Sequence, residues 1–248
     1  MKRLYGLIGF PLGHSFSARY FADKFQQEHL PECEYRNFPL ESILELPAML
    51  ENHPELCGFN VTIPYKQEVI PYLTDLGGEA REISAVNCVK ITPKGLFGYN
   101  TDAYGFQKSL LELIGNKRPD ALILGTGGAS KAVAYVLKKL GITFSFVSRQ
   151  SGDNRLTYSE LTPEVMETHK LIINATPLGT FPKITGCPAI PYETLTPAHF
   201  LFDLVYNPAL TEFLRRGQEQ GAAIRNGYDM LIGQAEKAWE IWNTPSHE

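Results

Sequence analysis

The chain has 248 residues, 44% of them hydrophobic and 20% charged, and this composition is typical of a protein that folds throughout its length. The net charge of −4 at pH 7 provides no broad basic surface, which argues against nucleic acid and anionic membranes as partners and favours a small-molecule ligand. No segment approaches the ~20 apolar residues of a membrane span. The four scattered cysteines form neither a CxxC pair nor a disulfide pattern, so we expect a cytoplasmic protein.

The first hundred residues predict an α/β domain, because apolar runs of strand length alternate with segments of helical periodicity. At the start of the chain, Gly6, Gly9 and Pro11 interrupt an apolar run that follows two basic residues, and we interpret this run as a strand over residues 4–8 rather than a signal peptide. The further predicted elements are a helix capped by Ser17, an extended segment at 33–38, helical pieces at 41–51, a strand from residue 58 to Pro64, a helix near 76–83, and extended runs at 86–91 and 96–99.

A second α/β unit follows, with a clearer order of strand, turn, helix and strand. A short buried strand at 121–124 leads into a glycine-rich turn at 125–129, a helix at 130–140 and a second strand at 144–148. Its other predicted elements are a helix at 102–114 that precedes it, strands at 171–174 and 200–204, a helix at 210–220, and a last helix from Gly227 to about residue 242.

The glycine-rich turn indicates a site for a dinucleotide cofactor. LILGTGGASKAV places Gly125, Gly127 and Gly128 between a strand and a helix, where the backbone can approach a phosphate and the helix N-terminus favours negative charge. The spacing GxGGxxxA departs from GxGxxG. The order of strand, turn, helix and strand around it is what strengthens the prediction of a dinucleotide site. A purely structural turn is the alternative.

The end of the next strand bears on the choice between NAD and NADP. An acidic residue there accepts a hydrogen bond from the ribose 2′-hydroxyl of NAD, whereas an arginine suits the 2′-phosphate of NADP. This strand ends in FVSRQ, with Arg149 at its end, Arg155 close behind, and Asp153 as a nearby acid outside the strand end. The sequence therefore predicts NADP, with a solvated loop position for Arg149 as the alternative.

Two further segments supply groups for proton transfer. GFNVTIPYK, residues 58–66, alternates apolar and polar residues as a half-buried strand does, and Lys66 follows soon after Pro64. GYNTDAYG, residues 98–105, supplies Asp102 where a strand gives way to a helix. An enzyme that oxidises an alcohol with a nicotinamide cofactor must also move the hydroxyl proton, which a lysine can do. Taken alone, Lys66 would more often be a surface charge and Asp102 a helix cap.

Eight motifs in order connect the chain to a known family. They are GFPLGHSFS, GFNVTIPYK, SAVNCV, GYNTD, GTGGASKAV, INATPLGT, DLVYNP and NGYDMLIGQA, and they span essentially the whole chain. Each motif is weak by itself, but in this order and spacing the chain resembles the shikimate dehydrogenases. The resemblance implies reversible reduction of 3-dehydroshikimate to shikimate by NADPH, a step of aromatic amino-acid biosynthesis.

The resemblance also implies an α/β enzyme of two domains with the active site in the cleft between them. An N-terminal substrate-binding domain would cover residues 1–103, and a Rossmann-like NADP-binding domain would cover residues 104–227. The C-terminal helix, within residues 228–248, would return to the substrate-binding domain.

Roles for individual residues follow from the same resemblance. Lys66 would donate and accept the proton at the C3 oxygen, and Asp102 would orient it and bind the substrate. The substrate would be held by neutral polar side chains, namely Ser15, Ser17 and Tyr206 at the carboxylate and Thr62, Asn87 and Gln234 at the ring hydroxyls. The cofactor would be held by Gly125, Gly127, Gly128 and Ala129 at the pyrophosphate, Ser148, Arg149 and Arg155 at the 2′-phosphate, Asn174 to Thr176 along the groove, and Leu204 and Gly227 at the nicotinamide.

Alternatives remain for these residues and for the activity. Ser15 and Ser17 could simply cap a helix, Thr62 could be an ordinary strand residue, and Gln234 a solvated helix position. The nearest rival function is a quinate or dual quinate/shikimate dehydrogenase that uses NAD, and a rival of another class is a non-catalytic NADP- or shikimate-binding regulator. The six histidines show no metal-ligand spacing, so no metal is expected. The sequence leaves open a monomer or a homodimer.

Overall fold

The computed structural model describes residues 2–13, 16–152 and 155–245. Within these residues the fold is α/β, as predicted, and the chain divides into two compact units. Unit 1 comprises Met1–Thr101 and Ala235–Glu248, and unit 2 comprises Asp102–Gln234. Over the part of the chain that is described, no helix combines the length and the apolar character needed to cross a bilayer.

Unit 1 contains a mixed sheet flanked by short helices. In the sheet, β1 lies parallel to both β2 and β3, whereas β5 pairs antiparallel with β3 and β6, and the order is β2-β1-β3-β5-β6-β4. The elements are β1 (Arg3–Gly9), α1 (Phe16–Gln27), β2 (Cys33–Pro39), α2 (Leu46–Asn52), β3 (Leu56–Val61), β4 (Asp75–Leu76), α3 (Gly78–Ile83), β5 (Cys88–Thr92) and β6 (Gly95–Tyr99), with short 3₁₀ turns at Ile43–Glu45 and Ile70–Tyr72.

Unit 2 contains a second sheet whose neighbouring strands are all parallel. Its elements are α4 (Thr101–Ile114), β7 (Ala121–Leu124), α5 (Gly128–Lys139), β8 (Phe144–Ser148), β9 (Arg155–Thr157), α6 (Pro163–Thr168), β10 (Leu171–Asn174), β11 (Phe200–Asp203), α7 (Glu212–Glu219), β12 (Ala223–Arg225) and α8 (Tyr228–Asn243), with 3₁₀ turns at Tyr158–Glu160 and Tyr192–Thr194. Helix α4 starts on the last residue of unit 1, and α8 passes from unit 2 into unit 1 at Ala235.

The strand order of unit 2 determines where a ligand can bind. The order is β12-β11-β10-β7-β8-β9. From β7 the chain adds β8 and β9 on one side of the sheet and then β10, β11 and β12 on the other, so the strand order reverses between β7 and β10. The carboxyl ends of these parallel strands lie at one edge of the sheet. In open sheets of this kind, ligands bind outside that edge, where the strand order reverses.

Strand β1 is buried on both faces, which explains its almost continuous apolar sequence. On one face, Leu4 packs in a core cluster with Met49 of α2. On the other face, Tyr5 packs with Phe21 of α1 and stacks on Trp242 at the end of α8, with ring centroids 4.8 Å apart. The sheet of unit 1 is therefore covered on both sides.

Trp242 joins the end of α8 to the sheet of unit 1. Its indole Nε1 donates to the carbonyl of Val89 at 3.0 Å. A Cβ on Gly58 would lie 2.4 Å from the same indole, so the ring can occupy this place only because residue 58 is a glycine. The free cysteine Cys88 is buried in the same cluster.

Several predicted boundaries differ from the structure. Helix α1 begins at Phe16, so Ser17 is its second residue rather than its cap. Strand β3 ends at Val61, so Thr62 lies beyond it and the interpretation of Thr62 as a strand residue is wrong. Helix α5 begins at Gly128, two residues earlier than predicted, and the turn before it is correspondingly shorter.

Other elements have no counterpart in the sequence analysis. Strands β4, β9 and β12 and helix α6 were not predicted, and the helix expected near 76–83 begins only at Gly78. These elements are two to six residues long, too short for a periodic pattern to be visible, and pairing with a neighbouring strand is what defines the three strands.

Candidate active site

Lys66 of unit 1 lies in the turn that follows β3, and hydrogen bonds tie this turn to the sheet. The backbone amide of Thr62 donates to a carbonyl of β1 at 2.9 Å, and the carbonyl of Lys66 accepts from the amide of Val86 at 2.7 Å. Tyr65 is buried, and its hydroxyl donates to the carbonyl of Leu40 at 2.6 Å. These contacts fix the backbone from which the half-buried side chain of Lys66 extends.

A chain of buried and half-buried polar side chains runs beside this turn in unit 1. Asn87 Oδ1 accepts from the backbone amide of Thr101 at 2.7 Å, and Asn87 Nδ2 donates to the Thr101 hydroxyl at 3.0 Å. Asn60 Nδ2 donates to the carbonyl of Asn87 at 3.1 Å, and Asn60 Oδ1 accepts from the Tyr35 hydroxyl at 2.8 Å. The hydroxyl of Tyr35 also forms a hydrogen bond with Ser17, and burial raises the pKa of Tyr35.

The structure thus joins Ser17 and Asn87, two of the expected substrate ligands, through one hydrogen-bonded network. Tyr35 and Asn60 connect them, and the sequence analysis assigned no role to either residue. Asn60 lies in the motif GFNVTIPYK, where a polar side chain between the apolar residues Phe59 and Val61 was the available signal. Ser15, the companion of Ser17 in the prediction, lies outside the described residues.

Asp102 is the first residue of unit 2 and the second residue of α4. The helix cap considered from the sequence is therefore wrong, because the carboxylate lies within the first helical turn. A negative charge in this turn is favoured by the helix dipole by about 0.3–1 kcal/mol. The Asp102 side chain is half-buried.

Gln234 and Tyr206 are the other expected substrate ligands of unit 2. Gln234 is 7% exposed, and its Nε2 donates to the carbonyl of Leu231 at 3.0 Å, so the solvated helix position considered from the sequence is wrong. A Cβ on Gly105 of α4 would lie 2.9 Å from the backbone nitrogen of Gln234, which shows that α4 and α8 pack with their backbones in contact. Tyr206 follows β11 and is 37% exposed.

The glycine turn of unit 2 joins β7 to α5. Gly125 has φ of +101°, a conformation that other residues rarely adopt, and a Cβ there would lie 2.9 Å from Cγ2 of Thr176. Gly127 and Gly128 differ, because a Cβ on either would meet no atom within 4 Å. Together with Ala129 they are exposed, so the start of α5 is open to a ligand. This turn provides the room and the donors that a pyrophosphate needs.

The end of β8 carries the residues expected at a 2′-phosphate. Ser148 is the last residue of the strand, and its hydroxyl accepts from the backbone amide of Gln150 at 3.2 Å. Arg149 and Arg155 are exposed, and Arg155 begins β9, which pairs with β8. Residues 149–152 include no acidic side chain, and Asp153 lies outside the described residues.

The ends of β10 and β11 carry the remaining expected cofactor residues. Asn174, the last residue of β10, is fully buried, and its Oδ1 accepts from the amide of Thr176 at 3.1 Å and from its hydroxyl at 2.6 Å. Leu204 and Gly227 are in direct contact, because a Cβ on Gly227 would lie 2.2 Å from the carbonyl oxygen of Leu204.

A buried acid at this edge was missed by the sequence analysis. Asp203, the last residue of β11, is fully buried and accepts a hydrogen bond from Asn174 Nδ2 at 2.9 Å. Burial raises its pKa to about 6. Its place in the sequence could have revealed it, because this carboxylate directly follows the apolar residues FLF and is the first residue of the motif DLVYNP.

Unit 2 therefore brings the expected cofactor residues to one edge of one sheet. The glycine turn, the arginines and the turns after β10 and β11 all follow the carboxyl ends of parallel strands. An exposed glycine turn at the start of a helix, two exposed arginines and neutral polar side chains suit a phosphorylated dinucleotide.

Comparisons with known proteins agree on one family. A family model described as the shikimate dehydrogenase substrate binding domain matches residues 7–89, which lie in unit 1. A shikimate dehydrogenase (NADP(+)) from Clostridium beijerinckii is 37% identical over 249 residues, which cover 96% of this chain and 91% of that protein.

Solved structures resemble the whole chain as well. The crystal structure of shikimate 5-dehydrogenase from Thermus thermophilus, in complex with NADP(H) and shikimate, has a TM-score of 0.85 and 29% identity and covers 99% of this chain and 95% of that one. Quinate dehydrogenase from Corynebacterium glutamicum, in complex with NAD, has a TM-score of 0.86 and 27% identity, with coverage of 98% and 94%.

Proposed function

Because the chain belongs to the shikimate dehydrogenase family, we propose that it catalyses the reversible reduction of 3-dehydroshikimate to shikimate with NADPH. The observation that carries the proposal is identity of 37% to a shikimate dehydrogenase (NADP(+)) over 96% of this chain. The chain is an oxidoreductase of aromatic amino-acid biosynthesis, and NADP is its cofactor. Residues 1–103 would bind the substrate, residues 104–227 would bind NADP, and the C-terminal helix would complete the substrate-binding domain.

The residues at the edge of the second sheet fit NADP. Gly125, Gly127, Gly128 and Ala129 would bind the pyrophosphate through backbone amides, since the start of α5 is exposed and free of bulky side chains. Ser148, Arg149 and Arg155 would bind the 2′-phosphate, for which two cations and a hydroxyl are suitable partners. The segment 174–176 would line the cofactor groove, and Leu204 and Gly227 would border the nicotinamide. When bound as NADPH, the cofactor supplies the hydride that reduces the substrate carbonyl.

Lys66 and Asp102 would handle the proton that accompanies the hydride. In the direction of reduction, the Lys66 ammonium donates a proton from Nζ to the C3 oxygen as the carbonyl becomes a hydroxyl, and in oxidation the neutral amine takes it back. Asp102 would accept a hydrogen bond and orient these groups.

Neutral side chains would recognise the rest of the substrate. Ser15, Ser17 and Tyr206 would donate to the carboxylate, whereas Thr62, Asn87 and Gln234 would bind the ring hydroxyls. A site made of hydrogen-bonding groups rejects an analogue that leaves them unpaired, so selectivity among ring acids is expected.

Initial rates with two acids and two cofactors test this proposal. The purified protein is assayed with shikimate or quinate, each with NADP or NAD, and formation of reduced cofactor is recorded. We expect dominant activity with shikimate and NADP. Dominant activity with quinate or NAD would instead support the rival dehydrogenase. This rival is worth testing because the chain also resembles a quinate dehydrogenase that binds NAD. Inactivity in all four combinations would contradict both dehydrogenases and support a binding regulator.

We also propose that the enzyme acts in the cytoplasm, without nucleic acid, as a monomer or a homodimer. The free state of Cys33, Cys57, Cys88 and Cys187 and the net charge of −4 support this proposal. Cell fractionation tests the location, and light scattering coupled to size exclusion measures the oligomeric state. Secretion, nucleic-acid copurification or a higher oligomer would contradict it.

A further inference from the structure

Asp203 is a buried carboxylate to which the proposed reaction assigns no role. Its side chain has no exposure to solvent and accepts three hydrogen bonds within unit 2. Oδ1 accepts from Asn174 Nδ2 at 2.9 Å and from the backbone amide of Val205 at 3.0 Å, and Oδ2 accepts from the Thr211 hydroxyl at 2.6 Å. All three donors are neutral. A buried acid with only neutral partners is costly, so a structure that retains it calls for an explanation.

The first partner shows what the carboxylate does to the segment after β10. An asparagine amide has a donating end and an accepting end, and an ionised carboxylate can bond only to the donating end. Asp203 therefore turns Oδ1 of Asn174 towards the following turn, where it accepts from the amide and hydroxyl of Thr176. The Thr176 hydroxyl in turn accepts from the amide of Leu178 at 3.3 Å. The shape of residues 174–178 depends on the orientation of this one amide.

The other two partners tie down the segment after β11. Val205 follows Asp203 closely, and Thr211 caps α7, since its hydroxyl accepts from the amide of Leu214 at 3.3 Å. Leu204 donates from its amide to the carbonyl of Asn174 at 3.0 Å. One carboxylate thus holds both ends of residues 204–211 and joins them to the turn after β10.

Both segments lie at the edge where the cofactor is expected. Cγ2 of Thr176 would be 2.9 Å from a Cβ on Gly125, so the turn after β10 touches the glycine turn. Leu204 touches Gly227 on the other side. The carboxylate itself is buried beneath these segments, and it can act on a ligand only through them.

We propose that Asp203 is a positioning residue that sets the geometry of two segments, 174–178 and 204–211, for the binding of NADP. This inference rests on the proposed function, because it takes the expected cofactor site as given. It predicts that a change at Asp203 weakens NADP binding even where the protein remains folded.

Asp203→Asn in the full-length protein is the test. The amide keeps the size of the side chain but replaces one acceptor with a donor, so the three donors of Asn174, Val205 and Thr211 can no longer all be satisfied. We expect the Kd of NADP, measured by titration calorimetry, and the KM of NADP to rise by about tenfold. The matched control is Leu161→Ala, which removes a buried side chain from the core of unit 2 outside this network. It should lower the melting temperature and leave the Kd of NADP unchanged.

The outcomes separate this inference from the proposed function. Wild-type protein that oxidises shikimate with NADP, together with an unchanged Kd of NADP in Asp203→Asn, would overturn the positioning role alone. Wild-type protein that binds no NADP would overturn both. An equal rise of Kd in Leu161→Ala would also overturn the inference, because general destabilisation would then explain the effect.

A second pair of variants covers the case in which Asp203→Asn does not fold. Thr211→Val removes one of the three donors, whereas Thr211→Ser keeps the hydroxyl. We expect a higher Kd of NADP in the valine variant and a value near that of the wild type in the serine variant. Equal Kd values for the two variants would overturn the inference.

Discussion

The hydroxyl of Tyr35 on β2 donates to Oδ1 of Asn60 on β3 at 2.8 Å, across the intervening strand β1. Through this bond, a side chain of the edge strand orients an amide that in turn donates to the carbonyl of Asn87. Asn60 is only 4% exposed, so water cannot easily replace the lost partner if Tyr35 is changed. Tyr35 therefore supports Asn60 and, through it, the residues of unit 1 that are expected to bind the substrate.

Tyr35→Phe should therefore lower the free energy of unfolding by about 1–3 kcal/mol, because Asn60 is left with a buried unpaired acceptor. Ser17 loses the same hydroxyl, and we expect the KM for shikimate to rise about fivefold, equivalent to about 1 kcal/mol. Urea unfolding and steady-state kinetics measure the two effects. The control is Tyr72→Phe at a half-buried position outside this network, which should change neither. Identical behaviour of the two variants would contradict the supporting role of Tyr35.

Lys66→Ala tests the proton-transfer role. Since positioned acid–base groups contribute about 10²–10⁴-fold to a rate, kcat should fall by that factor while the Kd of shikimate stays nearly unchanged. Stopped-flow or steady-state rates and a direct binding titration separate the two quantities. Lys94→Ala, in the exposed turn between β5 and β6, is the matched control and should retain full turnover. Near-normal kcat in Lys66→Ala would exclude the assigned role.

Two glycines of the same turn should respond differently to alanine. Gly125→Ala places a Cβ at φ of +101° and 2.9 Å from Thr176, so the free energy of unfolding should fall by about 1–3 kcal/mol. Gly127 has φ of −76°, and a Cβ there meets no atom within 4 Å. Gly127→Ala should keep stability within about 0.5 kcal/mol of the wild type.

The cofactor should respond to Gly127→Ala nevertheless. The added methyl group would take up room at the exposed start of α5, so the Kd of NADP should rise about tenfold, equivalent to about 1.4 kcal/mol. Urea unfolding without NADP and titration with NADP give the two numbers for each variant. A stable Gly125→Ala, or a Gly127→Ala that binds NADP as the wild type does, would contradict the respective explanation.

The buried carboxyl of Asp203 should make stability depend on pH. Burial raises its pKa from 3.8 to about 6 in the folded protein, so the folded state holds this proton more tightly than the unfolded chain. The stabilisation is complete below about pH 4 and is lost as pH rises through about 6, with a maximum slope of about 1.4 kcal/mol per pH unit. Its hydrogen-bond partners are neutral, and the nearby Tyr192 has a pKa raised well above this range by burial.

The measurement compares the free energy of unfolding of the wild type and Asp203→Asn at several values between pH 4 and pH 8. Other carboxyls contribute equally to both proteins and cancel in the difference. The advantage of the wild type should shrink as pH rises from 4 to 6 and stay constant above. A difference that does not vary with pH would show that Asp203 has an ordinary pKa.

The parts of the site that could be predicted are those with a local signature. The glycine turn was recognised because a buried strand and a helix flank it, and Gly125 does adopt the conformation that needs glycine. The roles of Lys66 and Asp102 stay predictions, made from their motifs GFNVTIPYK and GYNTD. Asp203, Tyr35 and Asn60 were not assigned, because their importance comes from partners elsewhere in the chain: Asn174 is 29 residues from Asp203, and Asn60 is 25 from Tyr35.

The sequence by itself determined the α/β alternation, the positions of the main strands and helices and, through its motifs, the family. These features follow from periodicity and turn chemistry over a few consecutive residues, which each segment carries whatever its surroundings. Tertiary structure decided the short edge strands, the place of Trp242 against Gly58 and the three hydrogen bonds of Asp203. Pairing, burial and hydrogen-bond partners depend on which distant segments meet, and the free energy of these contacts exists only in the assembled fold.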